Sequence, residues 1–237
     1  MTILKKIFKF FGILLLLGII AFGVVYYLYN EPLPTGESGP EADALANRML
    51  DALNYNNYKN TAILDWSFRG GSHSYQWNKR KNEVSVSWDD YTVALDLINP
   101  GSSIAYKNGE RLNYEESQSL ITDAQSYFNN DSFWLVAPFK VFDSGTERKL
   151  IQLEDGSEGL LVTYTKGGDT PGDTYLWILE RSGIPKSFKL WVQILPIGGL
   201  EATWDGWSKT ETGVLLPASH SLGPITFKML EVRGYNP

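Results

Sequence analysis

Residues able to do chemistry are few. The 237 residues include only two histidines, His73 and His220, and a histidine beside a carboxylate or a hydroxyl is the usual general base of a hydrolase. The two stand far apart, His73 opening an extended segment beside a turn and His220 within "ASHS" near the end of another. No serine lies in a G-x-S-x-G elbow, and no H-E-x-x-H spacing occurs. Both histidines are therefore expected at the surface or rim, held by hydrogen bonds. Carboxylate pairs hydrolyse glycosides, and Asp65, Asp89, Asp90 and Asp205 each adjoin an aromatic ring of the kind on which sugars stack. An aspartate at a strand end is ordinarily a turn residue, however, and nothing marks out a pair. With no cysteine, disulfides, thiolate metal sites, a thiol nucleophile and lipidation of an N-terminal cysteine are excluded. No cofactor or metal is expected, and the chain is read as non-catalytic.

The stretch "GGDTPGDTYLWILERSGIPKSFKL", residues 167 to 190, poses a sharper choice between an ion-binding loop and a turn. A phosphate loop needs glycines that open a helix, and here a strand follows. Asp169 and Asp173 lack the spacing and closing glutamate of a calcium loop. Gly167-Gly168 and Pro171-Gly172 are read as punctuation of a turn. Beyond it Tyr175, Trp177 and Leu179 share one strand face while Leu176 and Ile178 take the other. After Ser182-Gly183 the residues Phe188, Leu190, Val192 and Ile194 return on a single face.

The N-terminus reads as a separate unit. Lys5, Lys6 and Lys9 precede "FFGILLLLGIIAFGVVYYL", Phe10 to Leu28, which carries no charge. Nineteen residues at about 1.5 Å each span the ~30 Å hydrocarbon core of a bilayer. Tyr26, Tyr27 and Tyr29 match an interfacial aromatic belt, and the lysines predict a cytoplasmic N-terminus. Residues 1–29 are thus expected to be a single-pass anchor in a bacterial inner membrane. The domain beyond is then periplasmic, or secreted if Ala21-Phe22-Gly23 is cut as a signal peptide. Apart from the three anchor lysines, 18 basic residues face 27 acidic ones. Such a domain repels nucleic acid, which is not expected as a partner.

Residues 30–40, "NEPLPTGESGP", read as a linker. A helix is predicted from Glu41 to Tyr55, with Ala42, Leu45, Ala46, Met49 and Leu53 as its apolar stripe. From Thr61 the pattern alternates with period two, pairing Ala62, Leu64, Trp66 and Phe68, then Tyr75 and Trp77, then Val84, Val86 and Trp88. Asn108-Gly109 predicts a tight hairpin. A second helix is expected over Tyr114 to Asn129, capped by Asn113 with Glu116 three residues on. Further strands follow: "RKLIQLE", "GLLVTYT", "DTYLWILE", "KSFKLWVQIL", "LEATWDGW", "GVLLPASHS" and "ITFKMLEV".

Four pieces of the second half occur in order: "SFWLVAPFKVFDSG", "GDTYLWILERSGIPKSF", "WDGW" and "GVLLPASH". Together with the opening helix they resemble the bacterial outer-membrane lipoprotein carrier and receptor group, the LolA/LolB-like fold. The resemblance spans about residues 41 to 234. It implies a mainly β, α+β domain over 41–237: a curved antiparallel half-barrel sheet with two flanking helices, enclosing an apolar cavity for acyl chains. The carriers are soluble and the receptor is held by lipid on an N-terminal cysteine; this chain has neither feature. The expected function is non-catalytic binding of a lipid or lipoprotein acyl chain in the cell envelope, with lipid or acylated protein as partner. The aromatic residues Trp66, Phe68, Trp77, Trp88, Trp134, Tyr175, Trp177, Phe188, Trp191 and Trp204 are the candidates to line the cavity. The alternatives are a protein-binding envelope scaffold, which predicts a filled interior, and a carbohydrate-binding or hydrolysing domain, which predicts solvent-facing tryptophans near two carboxylates.

Overall fold

A computed structural model describes residues 2–167 and 169–237. Gly168, part of the glycine turn read above, lies outside the described residues. The chain is mainly β, with antiparallel sheets and four α-helices.

Helix α1 (Thr2–Tyr29) is long and apolar enough to cross a membrane; over Lys6–Tyr29 its mean hydropathy is 2.5. None of its described side chains enters the core. Helix α2 (Pro40–Ala52) starts on a proline, whose fixed φ suits the first helical position. It buries Ala42, Leu45, Ala46, Met49 and Leu50. The helix expected to run to Tyr55 breaks earlier because Asn54 adopts the left-handed conformation (φ 59°). A separate short helix, α3 (Tyr55–Asn60), follows.

The first half of the β structure is a meander. Strands β1 (Ile63–Phe68), β2 (His73–Asn78), β3 (Glu83–Trp88), β4 (Tyr91–Asp96), β5 (Ile104–Lys107) and β6 (Glu110–Arg111) pair in sequence order. Asn108 and Gly109, at φ 50° and 84°, make the β5–β6 turn predicted from that dipeptide. Helix α4 (Tyr114–Val136) begins with a complete capping box: the Glu116 amide donates to Asn113 Oδ1 (3.0 Å) and the Asn113 amide to Glu116 Oε2 (3.3 Å). It runs seven residues past the predicted end, because Asp131, Ser132, Leu135 and Val136 are buried and continue its inner stripe.

The second meander comprises β7 (Thr146–Gln152), β8 (Glu158–Tyr164), β9 (Thr174–Leu179), β10 (Pro185–Trp191) and β11 (Leu200–Thr203). A small pair, β12 (Ser208–Lys209) and β13 (Leu215–Leu216), intervenes before β14 (Ser219–Leu222) and β15 (Ile225–Lys228) complete this second seven-stranded sheet. The run "ITFKMLEV", expected as one strand, divides at Met229. Strand β15 closes the second sheet, whereas β16 (Leu230–Tyr235) crosses to the first and pairs with β1. Strand β10 ends at Trp191, so Val192 and Ile194 lie in the following turn rather than on its apolar face.

One core cluster joins α2, α3, α4 and both large sheets; Met49, Leu64, Val93, Leu135, Leu160 and Leu216 are among its fully buried members. Burying such side chains contributes ~1.5–3 kcal/mol each, the dominant favourable term for a domain of this kind.

Candidate functional site

Of the ten aromatic candidates, nine lie in or against this core and pack edge to face, stacked or tilted, each ring meeting at least one neighbour. Trp177, Phe188 and Trp204 are buried and form a closed triad, with centroids 4.9 to 5.5 Å apart. Tyr175 and Trp134 flank Phe188 at 5.0 and 5.5 Å. On the first sheet Trp66 stacks on Tyr75 at 4.6 Å, Trp77 meets Phe128 edge-on at 5.3 Å, and Trp88 meets Tyr127 at 5.4 Å. Phe68 reaches Phe227 at 6.3 Å. Such geometries add ~0.5–1.5 kcal/mol per pair beyond area burial.

Trp191 is the exception. On β10 it alternates with Leu190 and so faces away from the core, into a small second cluster with Ile151, Leu161, Leu176 and Leu153. Its indole N–H donates to the Glu31 carbonyl (2.9 Å). Trp191 therefore seats the linker and does not line the interior.

Four interior indoles carry an unusual feature. The Nε1 atoms of Trp66, Trp77, Trp177 and Trp204 are buried with no hydrogen-bond partner among the described residues. A buried donor left unpaired costs ~1–3 kcal/mol, so native cores rarely hold several. Two concavities framed by described residues lie elsewhere. One, about 380 Å³, is lined by Asn57, Asn60, Glu211, Thr212 and Asn236. It has one carboxylate, Glu211, which pairs with Arg233 at 2.7 Å. A second lies along α1, lined by residues such as Phe11, Leu15 and Phe22.

Both histidines depart from the surface positions expected of them. His220 is fully buried between Trp134 and Trp204, at 5.2 and 4.5 Å. Its Nδ1 donates to the Thr203 carbonyl (3.0 Å), which places the proton on that nitrogen. Burial pushes its pKa down to about 4, with the Thr203 carbonyl pulling weakly the other way.

His73 belongs to a cluster that sequence spacing did not foreshadow. Asp131, on the inner face of α4, is fully buried. Its Oδ2 accepts from the Tyr75 hydroxyl (2.6 Å) and from His73 Nδ1 (2.8 Å). Its Oδ1 accepts from Asn130 (2.8 Å) and, at 3.4 Å, from the half-exposed Arg69 guanidinium. Burial, reinforced by the Asp131 charge, raises the Tyr75 pKa well above its ordinary value and keeps the phenol a donor. The arrangement resembles the orienting half of a catalytic triad, but no serine or threonine hydroxyl among the described residues bonds to the imidazole. As it stands, the cluster fastens α4 to β2 through a satisfied buried carboxylate.

The carboxylates that adjoin aromatic rings in sequence lie in three separate places. Asp89 and Asp90 make the β3–β4 turn, Asp89 at φ 46°. Asp65 lies within β1, and Asp205 accepts from Thr203 in the loop after β11 (2.5 Å). Asp169 accepts from Ser126 (3.1 Å) and Asn129 (2.9 Å), and Asp173 from Thr170 (2.5 Å) and the Gln193 amide (3.0 Å). Their oxygens bond protein donors, as a turn requires, and Gly172 supplies the positive φ (105°). No group of three His, Asp or Glu side chains converges among the described residues. In comparisons with known proteins, the chain matches no protein-family model and no curated protein.

Proposed function

We propose that the chain is a membrane-anchored, non-catalytic envelope domain that binds a lipid or a lipoprotein acyl chain between its sheets, as its likeness to lipoprotein carriers and receptors implies. On this reading the two meanders act as the half-barrel and α4 crosses its opening. The observation that carries the proposal is the set of four unpaired indole donors within a ring-lined interior. An ester or carboxyl oxygen of a lipid is an acceptor of the kind they lack, and each methylene drawn in contributes ~0.8 kcal/mol. Because the rings stand in contact with one another, the acyl chain enters by displacing them. The anchor reading of α1 places the domain outside the cytoplasm, whether α1 remains as a span or is removed as a signal sequence.

A second reading, a protein-binding scaffold, is favoured by those same close ring contacts and by exposed Ile225 and Leu230 on strands that end the two sheets.

The test uses residues 30–237, whose core receives nothing from the described side chains of α1, purified natively and examined by mass spectrometry for bound lipid. Trp177→Phe keeps a ring and removes one donor. Stoichiometric lipid that is depleted in this folded variant supports the proposal. A clean extract, together with no displacement of a fluorescent acyl probe, rejects it in favour of the scaffold.

A further inference from the structure

The segment after α1, residues 30–38, is docked rather than free. The Asn30 amide continues the helix by donating to the Tyr26 carbonyl (2.9 Å), and Asn30 Oδ1 accepts from the Gly198 amide (2.9 Å). The Glu31 amide donates to the Gly198 carbonyl (2.9 Å), its carbonyl accepts from Trp191, and its carboxylate accepts from Lys189 Nζ through both oxygens (2.7 Å each). Farther on, Glu37 pairs with the edge strand β7 by exchanging backbone bonds with Leu150. Glycine is built into the clamp: a Cβ on Gly199, at φ 82°, would stand 2.5 Å from Glu31 Cβ, and one on Gly198 would stand 2.3 Å from the Trp191 ring.

The clamp begins one residue after the helix ends, which leaves no slack between a bilayer and the β10–β11 loop. That loop, residues 192–199, reads "VQILPIGG" and carries no charge, in a domain where acids outnumber bases. Leu195 bonds back to Val192 (3.1 Å), so the loop is a tight turn with Ile194 at its tip, 73% exposed. The register Trp191↔Thr174, Thr174↔Thr163 and Thr163↔Glu147 puts the turn before β7, with its exposed Phe142, at the same sheet end. From Glu31 the linker runs away from that end, towards Leu150.

Resting on the reading of α1 as a retained span, we infer that the β10–β11 loop is a second membrane contact, with Ile194 inserted into the headgroup–acyl boundary beside the exit of the helix. Ile194 is three residues from Trp191, within ~10 Å of the clamp, and interfacial segments bury apolar groups ~5–10 Å deep. The domain is thereby held with one sheet end against the bilayer.

The chain has no cysteine, so a single Ile194→Cys substitution in the full protein takes one environment-sensitive nitrobenzoxadiazole label. The labelled protein is reconstituted into vesicles of phosphatidylethanolamine and phosphatidylglycerol containing a shallow spin-labelled lipid. Ile98→Cys, equally exposed but in the β4–β5 turn of the other sheet, is the reference. The expected result is a blue-shifted emission at position 194, quenched several-fold more than at 98, with the difference reduced when Glu31→Ala loosens the clamp. Equal, unquenched emission at both sites in protein that resists alkaline extraction overturns the loop contact alone. Release of the protein by alkali overturns the anchor and the contact together.

Discussion

Replacing Asp131 by alanine tests whether the buried cluster at α4 is a structural pin. Asp131→Ala removes the acceptor of two buried donors, the Tyr75 hydroxyl at 2.6 Å and His73 Nδ1 at 2.8 Å. Each donor stranded in the core costs ~1–3 kcal/mol, so the two together cost roughly 2–6 kcal/mol. The Arg69 contact adds little, because that side chain is half exposed and its nitrogens stand 3.4 Å away. A loss of about 3–5 kcal/mol is therefore expected. For a chain of this size it lowers Tm by roughly 2–4 °C per kcal/mol. Asp131→Asn, which keeps the shape and one acceptor, should lose about half as much. Urea unfolding of residues 30–237 followed by tryptophan fluorescence measures both, and adding His73→Ala gives the coupling, expected at ~1 kcal/mol or more. A loss below ~1 kcal/mol for Asp131→Ala, with no coupling to His73, would refute the pin. The dyad would then have to be explained by chemistry at the imidazole.

Three further outcomes follow from the structure. His220 is neutral when folded, with its pKa near 4 against 6.5 for the free ring; the unfolded chain binds more protons between those values. Its contribution should be intact above about pH 6.5 and fall away towards pH 4, by up to ~3 kcal/mol. Urea titrations across that window should show the slope, and His220→Phe should flatten it. Asn113→Ala dismantles the α4 capping box and should cost ~1 kcal/mol in the same assay, with Asn113→Ser recovering most of it. Gly36→Ala places a Cβ 2.3 Å from Ile151 Cδ1 and 2.5 Å from the Leu150 carbonyl oxygen. The linker should lift from β7, and cleavage by a glutamate-specific protease at Glu37 should speed up while the core stays intact; unchanged cleavage would mean that the linker is not docked.

Sequence alone determined what local physics determines. The uncharged run of α1, the period-two strands of the first meander, the Asn108-Gly109 turn and the Asn113–Glu116 cap all depend on residues within one or two turns of each other, and each stands where it was read. The glycine–aspartate loop before β9 was legible as a turn for the same reason. Tertiary structure decided everything that depends on partners distant in sequence. Met229 divides one apolar run between two sheets because β16 finds its ladder with β1, more than 160 residues earlier. Asp131 reads in sequence as one more polar helix residue, and only the packing of α4 on β2 brings His73 and Tyr75 to it. Trp191 has the same composition signal as Trp177, but strand parity turns one towards the linker and the other into the core. The linker itself looked free, since proline, glycine and carboxylates give no periodicity. It is ordered by hydrogen bonds to Gly198, Leu150 and Lys189, whose positions exist only once the second sheet has formed.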